Sequence, residues 1–335
     1  MTPAEMLREQ RRFGWRIAFV VTLGFVVAEL AAWYLAFIVP LLAVQFLALL
    51  PAAPTPRQML LIVLVTVATT FLAVFASELL IDHPAAYLML LLAIFAVAFY
   101  LDNFPRTKLV ATLLLLSNAI LPILGQHDSL ASVAMRDTLV YGSLVGLLLA
   151  WLAHALFPAA RGGGAGTPAP APTPVGGEWL RAAILLLPVA WYLGKPDEAT
   201  FPLVVAVLTI LRQAKLSMGT RLAIGLLIGN VIGGIAATAA YAVLSLSPTF
   251  ATLCFLLLAM GLYFGGRIAT AGPKAPVYVI ALVVFITLLG LGLIEFTSSS
   301  AAQFATRLWG VLMGAVYALA ALVLFARRRS PIPAS

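Results

Sequence analysis

The chain is divided into twelve apolar segments, most of them near 20 residues long, with short polar breaks between them. A helix needs about 20 apolar residues to cross a bilayer. Hydrocarbon accepts only structures that satisfy their own backbone hydrogen bonds. The segments fall at roughly 15–33, 35–50, 57–80, 85–101, 107–125 and 137–157, then 178–193, 199–213, 219–245, 249–265, 275–293 and 300–326. None shows the sustained alternation of a barrel strand. The expectation is an all-α integral membrane protein with about twelve transmembrane helices. Segments 35–50, 178–193 and 199–213 are short, so tilted, broken or partly spanning forms are open to them. Composition agrees, with 63% hydrophobic and only 10% charged residues, where a soluble surface needs roughly 25% charged.

Two parallel six-helix repeats follow from the spacing of the basic residues. Arg16 and Arg181 open the first helix of each half, 165 residues apart, and Arg57 and Arg221 open the third, 164 apart. Lys108 and Lys274 precede the fifth helices, 166 apart, while Arg136 and Arg307 head the sixth, 171 apart. Matching the sixth helices by Gly142/Gly146 and Gly310/Gly314 gives 168 instead, which leaves that register open. An even number of helices per half makes the repeats parallel. Residues 1–157 form the first repeat and 178–335 the second. Between them, 158–177 reads PAARGGGAGTPAPAPTPVGG, a linker with nothing to bury. With the N-terminus inside, 17 of the 20 basic residues fall on the cytoplasmic side, leaving Arg136, Lys195 and Arg307 outside. That bias places both termini in the cytoplasm of a multi-pass inner-membrane protein. It also accounts for the net charge of +8 without a nucleic-acid partner. Arg11, Arg12 and Arg16 before an apolar stretch look like a signal peptide, but cleavage would break the matched halves.

Enzyme signatures are absent: no GxxxxGK, HExxH, CxxC or GxSxG occurs. His83, His127 and His154 lie near different membrane faces, so no metal site is expected, and no cofactor. The single Cys254 forms no intramolecular disulfide. Gly225, Gly229 and Gly233 clear one strip of the ninth helix for close packing, as do Gly142/Gly146 and Gly310/Gly314 in the sixth and twelfth. Glu29, Gln45, Ser117, Asn118, Asn230 and Gln303 interrupt apolar runs, where a polar group faces a neighbouring helix or an aqueous cavity. Glu29 is the candidate proton-coupling group, with an interfacial carboxylate beside Trp33 and Tyr34 as the alternative. Gln45, Asn118 and Asn230 are candidates for substrate contact. Arg136 and Arg307 carry permanent charge at the edge of apolar segments. Either they attract an anionic substrate, for whose carboxylate a guanidinium is well shaped, or they snorkel to headgroups and pair with an acid such as Asp137.

The Arg16 segment WRIAFVVTLGFVVAEL, the loop-helix PTPRQMLLIVLVTVATT matched by MGTRLAIGLLIGNVIGG, and the arginine-headed sixth helix ending LFP at Leu156–Pro158 resemble the fusaric acid resistance and aromatic acid exporter superfamily. The resemblance spans nearly the whole chain. It differs in having only the short linker where better-known exporters carry a cytoplasmic domain, which makes this a compact member. It implies export of small anionic organic acids across the bacterial inner membrane, with the pathway between the two repeats. A periplasmic adaptor protein and an outer-membrane channel are the partners it implies, and homo-oligomers are also compatible. The chain is also similar to plant anion channels built as dimers of six-helix units. A passive channel and a non-transporting scaffold are the competing readings.

Overall fold

The computed structural model describes residues 3–33, 35–50, 52–80, 82–104, 107–125, 129–158, 177–194, 200–212, 216–294 and 300–327, with the backbone alone at some helical positions, Arg307 and Gln303 among them. Twelve α-helices make up the described residues, without a strand: α1 (Pro3–Leu30), α2 (Ile38–Leu49), α3 (Pro56–Leu79), α4 (Pro84–Asp102), α5 (Lys108–Gly125), α6 (Ser129–Leu156), α7 (Glu178–Gly194), α8 (Thr200–Leu211), α9 (Leu216–Leu246), α10 (Phe250–Thr270), α11 (Ala275–Ile294) and α12 (Ser300–Arg327). Local sequence sets several starts. Thr55 and Gln58 cap α3 reciprocally, Thr55 N–H donating to Gln58 Oε1 at 3.0 Å and Gln58 N–H to Thr55 Oγ1 at 3.3 Å. Thr249 Oγ1 accepts from Thr252 N–H at 3.1 Å to open α10. Pro84 occupies the first turn of α4, where its missing N–H costs nothing.

Among the described residues, seven helices are long and apolar enough to cross a membrane. Their outer faces are apolar too: Leu60, Leu64, Phe71 and Phe75 on α3 and Ile224, Ile228 and Ile235 on α9 are all exposed. That pattern suits lipid as solvent, since α3 and α9 are apolar all round. Two of the twelve segments, 35–50 and 199–213, fall short of a full span, one of the forms left open for them above. Helices α2 and α8 have twelve residues each, so each reaches about 18 Å against a hydrocarbon core of about 30 Å.

The helices sort into two compact units, and each unit takes segments from both sides of the linker. One comprises Met1–Ala68, Val133–Ala169 and Ile228–Phe304, the other Thr69–Ser132, Pro170–Leu227 and Ala305–Ser335. Within the first, α1 lies along α10, α2 packs on α1 and α11, and α10 packs on α11. The α1–α10 seam is closed by small residues. A methyl on Gly261 would sit 2.7 Å from the Ala18 Cα, and one on Gly265 would sit 2.9 Å from the Gly14 Cα. Within the second, α4 lies along α7, α4 packs on α5, and α8 packs on α7 and α5. Pro188 inside α7 has no N–H for the Ile184 carbonyl. The Tyr317 hydroxyl of α12 donates to that oxygen instead, at 2.9 Å.

Candidate functional site

Half-length α2 is held in a socket of glycines. A Cβ on Gly24 of α1 would fall 3.1 Å from the Pro40 Cα, and one on Gly146 of α6 would fall 3.2 Å from the Ala43 nitrogen. Gly142 faces Val39 and Leu42 at 3.5 Å, and Gly290 of α11 has no room for a Cβ beside the Phe37 ring. Four glycines on three helices thus surround one short apolar helix, Gly24 and Gly146 meeting its backbone and Gly142 and Gly290 making room for side chains at and before its start. The chain enters it through a sharp reversal in which Ala32 and Leu35 take left-handed φ values of 51° and 56°. Each such non-glycine residue costs about 1 kcal/mol. Trp33 stacks on Tyr141 of α6 at 5.9 Å beside that turn. In the other unit, Gly314 of α12 sits against α8 in the same manner, a Cβ there falling 2.7 Å from the Leu203 oxygen and 3.1 Å from the Ala206 Cβ.

Arg136 is half-buried on α6 and salt-bridged to its neighbour Asp137, at 2.7 Å from NH2 and 2.8 Å from Nε. Its charge is compensated within the chain, in the arrangement offered above as the alternative to anion attraction. Arg307 lies in the first part of α12, with its side chain outside the described residues. Glu29 is exposed in the last turn of α1, next to Leu30 at 79% exposure. Both placements offered for it above, the coupling group and the interfacial carboxylate beside Trp33, fit that position. Gln45 is half-buried on α2. Asn118 and Asn230 are buried at 0% and 3% exposure. Asn118 Nδ2 donates to the Leu114 carbonyl at 2.9 Å, while its Oδ1 is buried with no hydrogen-bond partner. One turn on, Pro122 has no N–H for the Asn118 carbonyl. Next to it, Ser117 Oγ lies 3.4 Å from Thr69 Oγ1 of α3.

Two glycines of the α9 strip pack on α11. Gly229 and Gly233 face α11, where added Cβ atoms would meet Ile280 at 2.7 Å and Val284 at 2.8 Å. These contacts stay within 178–335 and do not join the two sequence halves. Gly225 and Gly310 are buried as well.

Two buried polar clusters escaped the sequence reading. In the first unit, Arg16 is 3% exposed. Its Nε donates to the Phe157 carbonyl at 2.7 Å and its NH2 to Glu9 Oε1 at 3.0 Å, while Arg12 NH1 reaches the Pro158 carbonyl at 3.1 Å. The guanidiniums thus satisfy carbonyls at the C-terminal end of α6, where the helix dipole is negative. Buried His154 shares this corner, its Nδ1 2.9 Å from the Ala150 oxygen. In the second unit, Arg212 after α8 holds Asp102 at the end of α4 through Nε at 3.2 Å to both oxygens and through NH2 at 2.7 Å. Arg212 NH2 also donates to Thr112 Oγ1 of α5 at 2.8 Å. Asn103 Nδ2 donates to Glu178 Oε1 of α7 at 3.0 Å. An acid closing an apolar run, as in FYLDNF, was the available signal.

Among the described residues, no three His, Cys, Asp or Glu side chains gather as a metal site. Residues 15–153 match the model of a family described as "Protein of unknown function (DUF2955)". That description names no activity, so the likeness to aromatic acid exporters rests on the sequence patterns alone. No curated protein and no solved structure matches the chain.

Proposed function

We propose that this protein carries small organic acids, aromatic acids foremost, out across the bacterial inner membrane, with protons as the coupling ion. The observation that carries the reading is the pair of half-length apolar helices, α2 and α8, each second in its half and each seated on a glycine. Short apolar segments at corresponding places in two repeats are how carriers build a site at membrane depth, because helix ends and unwound backbone then face a cavity instead of lipid.

The duplicated six-helix unit is part of this proposal. Advancing each helix number by six turns the α1–α10 contact into α7–α4, and α1–α2 into α7–α8. The same step turns α10–α11 into α4–α5 and α2–α11 into α8–α5. The family match begins in α1 and ends in α6, the length of one such unit. Gly146 on Ala43 and Gly314 on Ala206 favour the glycine register of 168 for the sixth helices. In that register Arg136 and Arg307 are offset by three residues, about 60° and 4.5 Å along a helix. They need not act as a symmetric pair. Both termini are cytoplasmic in this reading, and the adaptor protein and outer-membrane channel remain the proposed partners.

Flux in proteoliposomes tests the function. Uphill accumulation of an aromatic acid under an imposed pH gradient is the expected result. Flux that runs only down the anion's gradient makes the protein a passive channel. No flux for any acid in a broad panel leaves a membrane scaffold and ends the transport reading.

A further inference from the structure

With Glu29 exposed in the last turn of α1, proton coupling needs a buried group that can gain and lose a proton within a helix. Among the described residues, the buried ionisable chains are few. Asp102 is tied to the permanent cation of Arg212 by three N–H···O contacts. Arg16 cannot lose its proton in a protein. His154 remains, 7% exposed in the last turn of α6. It is the one side chain of the three whose charge an ordinary pH change can switch.

The geometry points to His154 as a proton-binding site that controls the latch between the inner ends of α1 and α6. Its Nδ1 is 2.9 Å from the Ala150 carbonyl, which can only accept, so Nδ1 bears the hydrogen of the neutral ring. Nε2 is then the nitrogen that takes a second proton. Three residues on from His154, the Phe157 carbonyl holds Arg16, which is paired with Glu9, and Arg12 sits on the Pro158 carbonyl. With a neutral ring, the corner holds one carboxylate, Glu9, against the Arg16 guanidinium that bridges it to Phe157. A proton on His154 adds a third cation, after Arg16 and Arg12, at the same negative helix end, where the Glu9 carboxylate is already engaged. The ring and Arg16 then compete, and the Arg16–Phe157 bond that ties α1 to α6 is the one that gives way. Trp15, stacked on Phe157 with centroids 6.3 Å apart, moves with it. The coupling role rests on the transport reading above; the protonation and the latch do not.

The test uses the full chain in lipid nanodiscs, with 15N-labelled histidine and 5-fluorotryptophan. His83→Gln and His127→Gln leave His154 as the only imidazole, and Trp15→Phe assigns the fluorine signal. Titration from about pH 9 to about pH 5 brackets the ordinary imidazole range. The expected result is an Nε2 signal that moves to the protonated position in step with a Trp15 shift, the latter lost in His154→Gln. His154→Asn, whose amide can still donate to Ala150, serves if Gln does not fold. A ring that stays neutral throughout, or a Trp15 response that survives both substitutions, overturns the assignment. Proteoliposomes separate this from the wider reading. A titrating ring with no acid flux keeps the proton site and removes its coupling role, whereas flux with a silent ring does the reverse.

Discussion

The α1–α10 seam and the α4–α7 seam sit at positions 165 residues apart, yet they are filled in opposite ways. In the first, Gly14, Gly261 and Gly265 bring two helices into backbone contact. Adding or subtracting 165 puts Trp179, Ala96 and Tyr100 at the matching places in the second. There the pairing leaves an open cavity of about 230 Å³ lined by Ala96, Val97, Tyr100, Glu178 and Trp179. The second unit compensates with charge and hydrogen bonds near that seam, through Asn103–Glu178 and Asp102–Arg212. Side-chain size decides whether packing or polar contacts hold each seam.

The largest expected effect is at the tight seam. Gly261→Leu has no space, since even a methyl lands 2.7 Å from backbone. It should destabilise by about 3 kcal/mol, the upper end for overpacking. Ala96→Leu, facing the cavity, should cost less than about 1 kcal/mol. Thermal unfolding in detergent, followed by helical circular dichroism, compares the two; equal losses would remove the contrast. Next is Asp102→Ala, which strands the Arg212 guanidinium and should cost about 2 kcal/mol, below the range for a fully buried pair because Arg212 is 20% exposed. Adding Arg212→Met should recover most of that in the same assay, and no recovery would mean the pair is not what holds α4 to α8. Smaller still is Trp179→Ala, with 63% of the side chain already exposed. It should shift stability by under about 1 kcal/mol, and a larger loss would mean the open seam depends on packing after all.

Much of the helix inventory was legible because its signals are local. Thr55 and Gln58 announce the start of α3, and Pro84 that of α4. The shortness of 35–50 and 199–213 was visible in the sequence, and the twelve-residue α2 and α8 sharpen it. Helix partners were not legible. Apolar residues cover every face of a membrane helix, so periodicity does not mark the side that packs. Gly229 and Gly233 gave a packing strip but not its partner, which is α11 and not the other sequence half. Arg136 with Asp137 was readable as a neighbouring pair. Asp102 with Arg212 was not, because 110 residues separate them and only the fold brings them together. Whether Glu29 sits at membrane depth or at the interface was not legible, because one turn separates the two and hydropathy does not fix segment ends to that accuracy.

The seams also bear on the linker. Each compact unit draws on both sides of Pro158–Gly177, so neither half alone can complete a unit. Residues 1–157 and 178–335 expressed separately should be degraded, and co-expressed they should recover the thermal stability of the intact chain. A linker contributes effective concentration without contacts. Stable, separately folded halves would mean the interleaved units are not the folding units.

The central claim is that the pathway follows the two half-length helices. Cys254 is the only cysteine, so Cys254→Ala provides a background for single-cysteine labelling. Gln45→Cys on α2 and Thr209→Cys on α8 are half-buried positions 164 residues apart. In intact membranes, a membrane-impermeant thiol reagent should label both, and a transported aromatic acid should slow both reactions. Labelling at neither position, or labelling that the acid leaves unchanged at both, would contradict the account.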